Sequence, residues 1–240
     1  MKPMRAASQA DQSKAFRPPP DQAALTAQWL QNYDSAHYER GLAAGVLTRT
    51  HALIERDFDE SHHFGDVLEV GAGTLAHLPF VRHRFDRYLA TDHDDRTLDA
   101  VRGADLPAGV ELMRANGSDL PFPDSSFDRL IATHVLEHMP DPTAVLTEWS
   151  RVLKPGGVLS IILPCDPGLA WRLGRSLGPR KRGEEAGLPY DYFMAREHIN
   201  SIFNLKHILA YHLPKRREYW WPLRISVPDL NLIYAVNAYV

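Results

Sequence analysis

Apolar residues mark the order of the elements along the chain. Asp66-Val67-Leu68-Glu69-Val70 is a short strand pattern that runs into Gly71-Ala72-Gly73, and glycines there end the strand. Tyr88 to Thr91, Val110 to Met113, Phe127 to Thr133 and Val158 to Leu163 repeat the strand pattern. Helical spacing lies between some of them, clearest over Pro142 to Leu153, where Ala144, Val145, Trp149, Val152 and Leu153 share a side and Lys154-Pro155-Gly156-Gly157 stops the helix. Strands alternating with helices predict a parallel sheet with crossover helices. Glu218 to Leu223 and Leu230 to Val236 leave no room for a helix, so they are expected to pair antiparallel. Ahead of the sheet, Leu25, Trp29 and Leu30 fall on one helical face, and Val46, Leu47, Leu53 and Ile54 mark a second helix within Leu42 to Phe58.

Residues 1–20 are poor in apolar content and end in Pro18-Pro19-Pro20, which reads as a flexible arm before a single α/β domain over 21–240. A formal net charge of -3 disfavours a nucleic-acid partner. The single cysteine, Cys165, forms no internal disulfide or cysteine-rich metal site, and no apolar run approaches the roughly 20 residues of a membrane span. A cytoplasmic protein without integral membrane association is the expectation.

The glycine turn is the first chemical signal. Glycine lets backbone N–H groups and a following helix N-terminus approach a ligand closely. Gly71, Gly73 and Ala76 also satisfy a relaxed dinucleotide pattern, with Asp92 at the spacing of a ribose-binding acid. Glu69 separates the two readings. A carboxylate at the strand end repels pyrophosphate but suits a ligand carrying an ammonium and a sulfonium, as S-adenosylmethionine (SAM) does.

Four separated blocks then carry a resemblance. Glu69-Val70-Gly71-Ala72-Gly73 with Asp92, Gly117-Ser118-Asp119-Leu120-Pro121-Phe122-Pro123-Asp124-Ser125-Ser126-Phe127-Asp128, His134-Val135-Leu136-Glu137-His138, and Arg151-Val152-Leu153-Lys154-Pro155-Gly156-Gly157 occur in the order found in class I SAM-dependent methyltransferases of the UbiE/UbiG-like type. The chain resembles that family over about residues 60 to 165. The resemblance implies a Rossmann-like seven-stranded sheet with an antiparallel C-terminal strand and helices on both faces. It implies that Glu69, Gly71 and Gly73 hold the methionine end of SAM and that Asp92 accepts from the ribose hydroxyls. His93 would pack on the adenine, Ser118 and Asp119 would face its amino group, and Thr133 and His134 would look toward the transferable methyl. The family commonly has a third glycine where this chain has Leu75.

Methyl transfer needs alignment and, for some acceptors, removal of a proton. His134, His138 and His198 are the candidate bases. His134 and His138 with Glu137 between them lack a third ligand at a recognisable spacing, so no metal site is expected. Pro164 to Tyr211 exceeds one crossover helix and is read as an acceptor-binding insertion over 164–211. Its Arg172, Arg175, Arg180, Lys181 and Arg182 would hold phosphate or carboxylate, and Tyr190, Tyr192, Phe193 and Arg196 a ring or sugar face. The opposing reading is a solvated basic loop. O-methylation of a small polar or anionic acceptor is the preferred activity. A peripheral membrane enzyme acting on a quinone or lipid-linked glycan, a non-catalytic SAM binder and an NAD-type oxidoreductase are the alternatives.

Overall fold

The computed structural model describes residues 18–21, 25, 49–103 and 105–240. Most of the expected arm and the first helix, with Trp29 and Leu30, lie outside the described residues. The second helix is described only over residues 49–54, where it tightens into a 3-10 turn, Glu55–Asp57.

Seven strands form one sheet: β1 His63–Val70, β2 Arg84–Asp92, β3 Val110–Arg114, β4 Phe127–Thr133, β5 Leu153–Pro164, β6 Arg216–Trp221 and β7 Ile233–Tyr239. Their order is β3-β2-β1-β4-β5-β7-β6. β1 to β5 are parallel, and β7 runs antiparallel to both β5 and β6. Because β1 and β4 are central, their last residues are buried on both faces, which is why they read as apolar runs and not as alternations.

The helices are α1 Asp95–Arg102, α2 Pro142–Val152, α3 Leu169–Ser176, α4 Pro179–Glu185, α5 Tyr190–Glu197 and α6 Ile202–His212. Leu68, Leu130, Leu159 and Ile161 pack against Val145, Leu146 and Trp149 of α2 and Ile202, Leu205 and Leu209 of α6. On the opposite face, Val67, Ile131 and Ile162 pack against Leu53, Ile54 and Leu75. Asp141 caps α2 by accepting from the N–H groups of Thr143 and Ala144, with Pro142 supplying a first position that needs no N–H partner.

Three details differ from the sequence pattern. No α-helix follows the glycine turn: the β1–β2 crossover holds only the 3-10 turn Leu78–Phe80, and Leu75 and Leu78 pack onto the sheet directly. Pro79 cannot donate the intrahelical hydrogen bond of a longer helix. The C-terminal hairpin is shifted, because Asn231 gathers the backbone of Leu223, Ile225 and Val227 into a loop, so that Leu223 and Leu230 lie outside the strands. The insertion after β5 is four helices, α3 to α6, and not a loop.

Candidate active site

The turn after β1 is left-handed at Gly71 (φ 67°), Gly73 (φ 55°) and Leu75 (φ 62°). A Cβ on Gly71 would lie 2.5 Å from Cγ2 of Val135, so glycine is required both by φ and by the close approach of the segment after β4. Around Gly73 a Cβ would meet nothing within 4 Å, which leaves that side of the turn open to a ligand. Leu75 adopts the conformation that a third glycine would take. The strain, about 1–2 kcal/mol for a non-glycine residue, is offset by burial of its side chain. Backbone hydrogen bonding of Ala72 N–H to Thr91 O, 2.9 Å, fastens the turn to β2.

Asp92 closes β2 beside this turn. Its Oδ2 accepts from Gly73 N–H and its Oδ1 from Asp94 N–H, both at 3.0 Å. Oδ1 also meets His93 Nδ1 at 3.2 Å, so the second lone pair of Oδ2 is the acceptor position left for a hydroxyl. Burial pushes the Asp92 carboxyl up, but His93 and the two N–H groups outweigh it and hold it below the ordinary range. His93 is exposed, and its hydrogen bond to Asp92 raises its pKa. Ser118 and Asp119 are exposed on the loop after β3, tied by Asn116, which accepts from both their N–H groups. Thr133 ends β4.

Glu69 is deeper than a strand-end carboxylate need be. Its Oε2 accepts from the Tyr88 hydroxyl at 2.7 Å, while Oε1 is buried without a hydrogen-bond partner. Burial raises its pKa, against His77 and Tyr88, which lower it. A cation meeting Oε1 would relieve the desolvation of this group. Below it lies a polar network that the sequence pattern did not announce. Arg129 of β4 and Glu55 pair at 2.7 Å with both side chains essentially inaccessible, His77 joins Glu55 at 3.1 Å, and His77 meets His51 at 3.2 Å.

The three candidate histidines come from the segment after β4, whose Val135 packs against Gly71, and from the end of α5. They gather about Glu137, in the 3-10 turn Leu136–His138 that follows β4. His134, at φ 58°, places Nδ1 3.6 Å from Glu137 Oε1, and His138 Nε2 is 4.0 Å from the same oxygen. His198, at the end of α5, packs edge-on against His138 with ring centroids 5.0 Å apart. Asn200 makes this meeting possible: its amide donates to the carbonyls of Leu136 and Met139, and its N–H to that of Glu137. Thus a residue sixty positions downstream of His138 supplies the third ligand type whose absence had argued against a metal. The sequence reading also missed Asp166, whose Oδ2 accepts from His198 Nδ1 at 2.8 Å.

The insertion encloses a cavity of about 550 Å³ beside this cluster, lined by Asp166, Arg172, Arg175, Arg180, Met194 and His198 among others. Arg175 is committed in part to Asp166 (3.4 Å), and Arg180 to Glu184 and Asp191. Arg172 has no carboxylate partner among the described residues. Tyr190 is a core residue, packed with Leu25, Leu188 and Phe193, and Tyr192 and Arg196 pair with each other at the surface outside the cavity lining. Cys165 is buried, its thiol pushed up to about 12 by desolvation, which makes it a poor nucleophile.

A sheet of five parallel strands continued by an antiparallel strand, with a glycine turn after β1 and an acid ending β2, is the arrangement that the resemblance to class I methyltransferases implies. Residues 68–161 match the family model described as "Methyltransferase domain". Over 142 residues the chain is 31% identical to 2-methyl-6-phytyl-1,4-hydroquinone methyltransferase 1 of Oryza sativa subsp. japonica, covering 58% of this chain and 43% of that protein. It is 35% identical over 99 residues to a SAM-dependent methyltransferase of Mycolicibacterium smegmatis, covering 41% and 38%. The chain therefore spans half or less of these curated relatives' length. Among solved structures, a SAM-dependent methyltransferase from Thermotoga maritima superposes with TM-score 0.57 at 16% identity, covering 90% of this chain and 98% of that one. The CurJ carbon methyltransferase gives 0.58 at 18%, covering 91% and 58%. At such identities the structures speak to fold alone.

Proposed function

We propose that this chain transfers a methyl group from SAM to a small acceptor bearing an anionic or hydroxyl oxygen. Bound SAM supplies an electrophilic methyl on a sulfonium. The observation that carries the reading is the pairing of Asp92 with the glycine turn, which presents a carboxylate and an open backbone side at adjacent strand ends. The residues fit the cofactor: Glu69 offers a buried oxygen without a partner toward positive charge, and Asp92 keeps a lone pair on Oδ2 for a ribose hydroxyl, with its Oδ1 held by Asp94 N–H and by exposed His93. Asp119 is exposed, and its carboxylate would accept from the adenine amino group. Arg172 and Arg175 in the cavity favour an anionic acceptor. Incubation with methyl-labelled SAM and a panel of hydroxylated and carboxylated acceptors tests the activity. Label transfer abolished by Asp92→Ala supports it; SAM binding without transfer to any acceptor makes the chain a binder only.

A second reading has its own observation. Leu173, Leu177, Leu223 and Ile225 are exposed, on α3 and the β6–β7 loop, next to the arginines of α3 and α4. Such a surface suits an anionic bilayer and an acceptor carried in it, and the rice relative is named for a phytyl hydroquinone. Among the described residues no helix is long and apolar enough to cross a membrane. Flotation with vesicles containing anionic lipid, lost in Leu173→Asp with Leu177→Asp, distinguishes a surface-bound enzyme from one that is not.

A further inference from the structure

Glu137 is 2% exposed, yet neither of its carboxylate oxygens has a hydrogen-bond partner within 3.5 Å, the nearest group being His134 Nδ1 at 3.6 Å from Oε1. A buried carboxylate left so is costly, and the usual resolution is a paired charge or a metal ion. Two of the histidines around it, His138 and His198, are oriented from behind. His138 Nδ1 meets the carbonyl of Glu197 at 2.8 Å, and His198 Nδ1 meets Asp166 Oδ2 at 2.8 Å. A carbonyl and a carboxylate only accept, so both Nδ1 atoms donate and the Nε2 atoms keep their lone pairs. Imidazoles held in this way, with a carboxylate or carbonyl behind the ring, are the usual supporting arrangement of metal-binding histidines.

We propose that Glu137, His138 and His198 form a binding site for one divalent first-row transition metal ion. The three residues each bring a donor atom within 4.8 Å of the others. An ion holding nitrogen and oxygen ligands at about 2.0–2.2 Å would draw such atoms closer by about an ångström. Two imidazoles and one carboxylate suit zinc, manganese, iron or cobalt better than calcium or magnesium. Three protein ligands leave a coordination position open. His198 lines the cavity, so that position opens toward Arg172 and Arg175. There the ion would hold an acceptor oxygen between itself and the arginines. That use rests on the methyl-transfer reading, whereas metal binding does not.

The site is assembled by the fold and not by a sequence motif. Glu137 and His138 come from the turn after β4, His198 from the insertion, and Asn200 latches one onto the other. Asp166, at the end of β5, and Arg175 at 3.4 Å from it complete the layer behind His198.

The test uses the full chain without an affinity tag, stripped with a chelator and titrated with Co²⁺ in the absence of SAM and acceptor. Equilibrium dialysis and the visible absorption of the cobalt ion are the readouts. The expected result is one bound equivalent, with affinity reduced at least about tenfold by Glu137→Gln, by His198→Gln and by His138→Gln. Asp166→Asn, a positioning residue, should weaken binding by about tenfold through its effect on His198. His63→Gln, remote from the site, should leave binding unchanged. Folding of each variant is checked by circular dichroism, and Zn²⁺ should raise the melting temperature of the wild type but not of His198→Gln. Failure of the stripped wild type to bind a stoichiometric ion overturns the proposal. So does binding that persists in folded Glu137→Gln and His198→Gln. Because no methyl transfer is measured, either result leaves the proposed activity to be judged separately.

Discussion

The Asp92 carboxylate accepts the backbone N–H of Gly73 at 3.0 Å, joining the end of β2 to the turn that follows β1. One side chain thereby shapes the glycine turn and offers the remaining lone pair of Oδ2 to a ligand. Asp92→Ala should leave a folded protein whose SAM affinity falls by about 1.5–3 kcal/mol, the range for hydrogen bonds with a charged partner. Calorimetric titration reads this directly. Unchanged affinity in the folded variant removes Asp92 from the cofactor site.

The two glycines of the turn should fail in different ways. In Gly71→Ala the new methyl meets Val135 at 2.5 Å at a φ of 67°, so the loss should appear in stability as well as binding. Gly73→Ala meets no protein atom within 4 Å. It should cost only about 1–2 kcal/mol of backbone strain while obstructing the ligand. Urea unfolding alongside SAM titration separates the two outcomes; equal stability losses in both variants would contradict the assignment of the open side to the ligand.

Acid should destabilise the protein before the carboxylates titrate. Burial, with Arg129 nearby, lowers His83 from 6.5 to about 4, and burial, with His77 and His134, lowers His51 to about 2. Below about pH 6.5 the unfolded chain therefore takes up protons that the folded chain does not, and folding stability falls. The loss from His83 runs down to about pH 4 and that from His51 to about pH 2. Glu55 is lowered from 4.5 to about 2, because Arg129 and His77 outweigh its burial, and its contribution, present above pH 4.5, is lost between those values. Urea midpoints at pH 7 and pH 5 test the histidine part. His83 sits edge-on among Phe58, Phe64 and Phe85, so His83→Phe should flatten the dependence. Equal wild-type midpoints at the two pH values would falsify this account.

Arg172 is the cleanest probe of the acceptor side, since it lines the cavity without a carboxylate partner among the described residues. Arg172→Gln should raise the acceptor KM several-fold while leaving SAM affinity unchanged. For an anionic acceptor the difference from wild type should narrow with added salt. Identical acceptor kinetics at low salt would return Arg172 to the solvated surface.

Much of this was legible in the chain. The strand pattern gave the sheet, because β1 and β4 are buried on both faces and read as apolar runs, and the separated blocks placed Gly71, Gly73 and Asp92 around one turn. The missing crossover helix was only partly legible: Pro79 limits a helix there, but nothing local says that Leu75 and Leu78 pack onto the sheet directly. The Glu55–Arg129 pair was not, because a charge inside an apolar strand reads as an exception until its partner, distant in sequence, is known. The same holds for Glu137. Its neighbours His134 and His138 were visible, but His198, Asp166 and Asn200 reach it only through the folding of the insertion. Tyr190 was read as a stacking group because an aromatic in an insertion gives no sign of whether it faces a cavity or the core.

The most direct test of the central claim is calorimetric titration of the purified chain with SAM, its demethylated product and NADH. The account predicts saturable binding of SAM and of the product at one site per chain, weakened in Asp92→Ala, and no comparable binding of NADH. Binding of NADH in preference to SAM, or no binding of either SAM or its product by the folded protein, would contradict it.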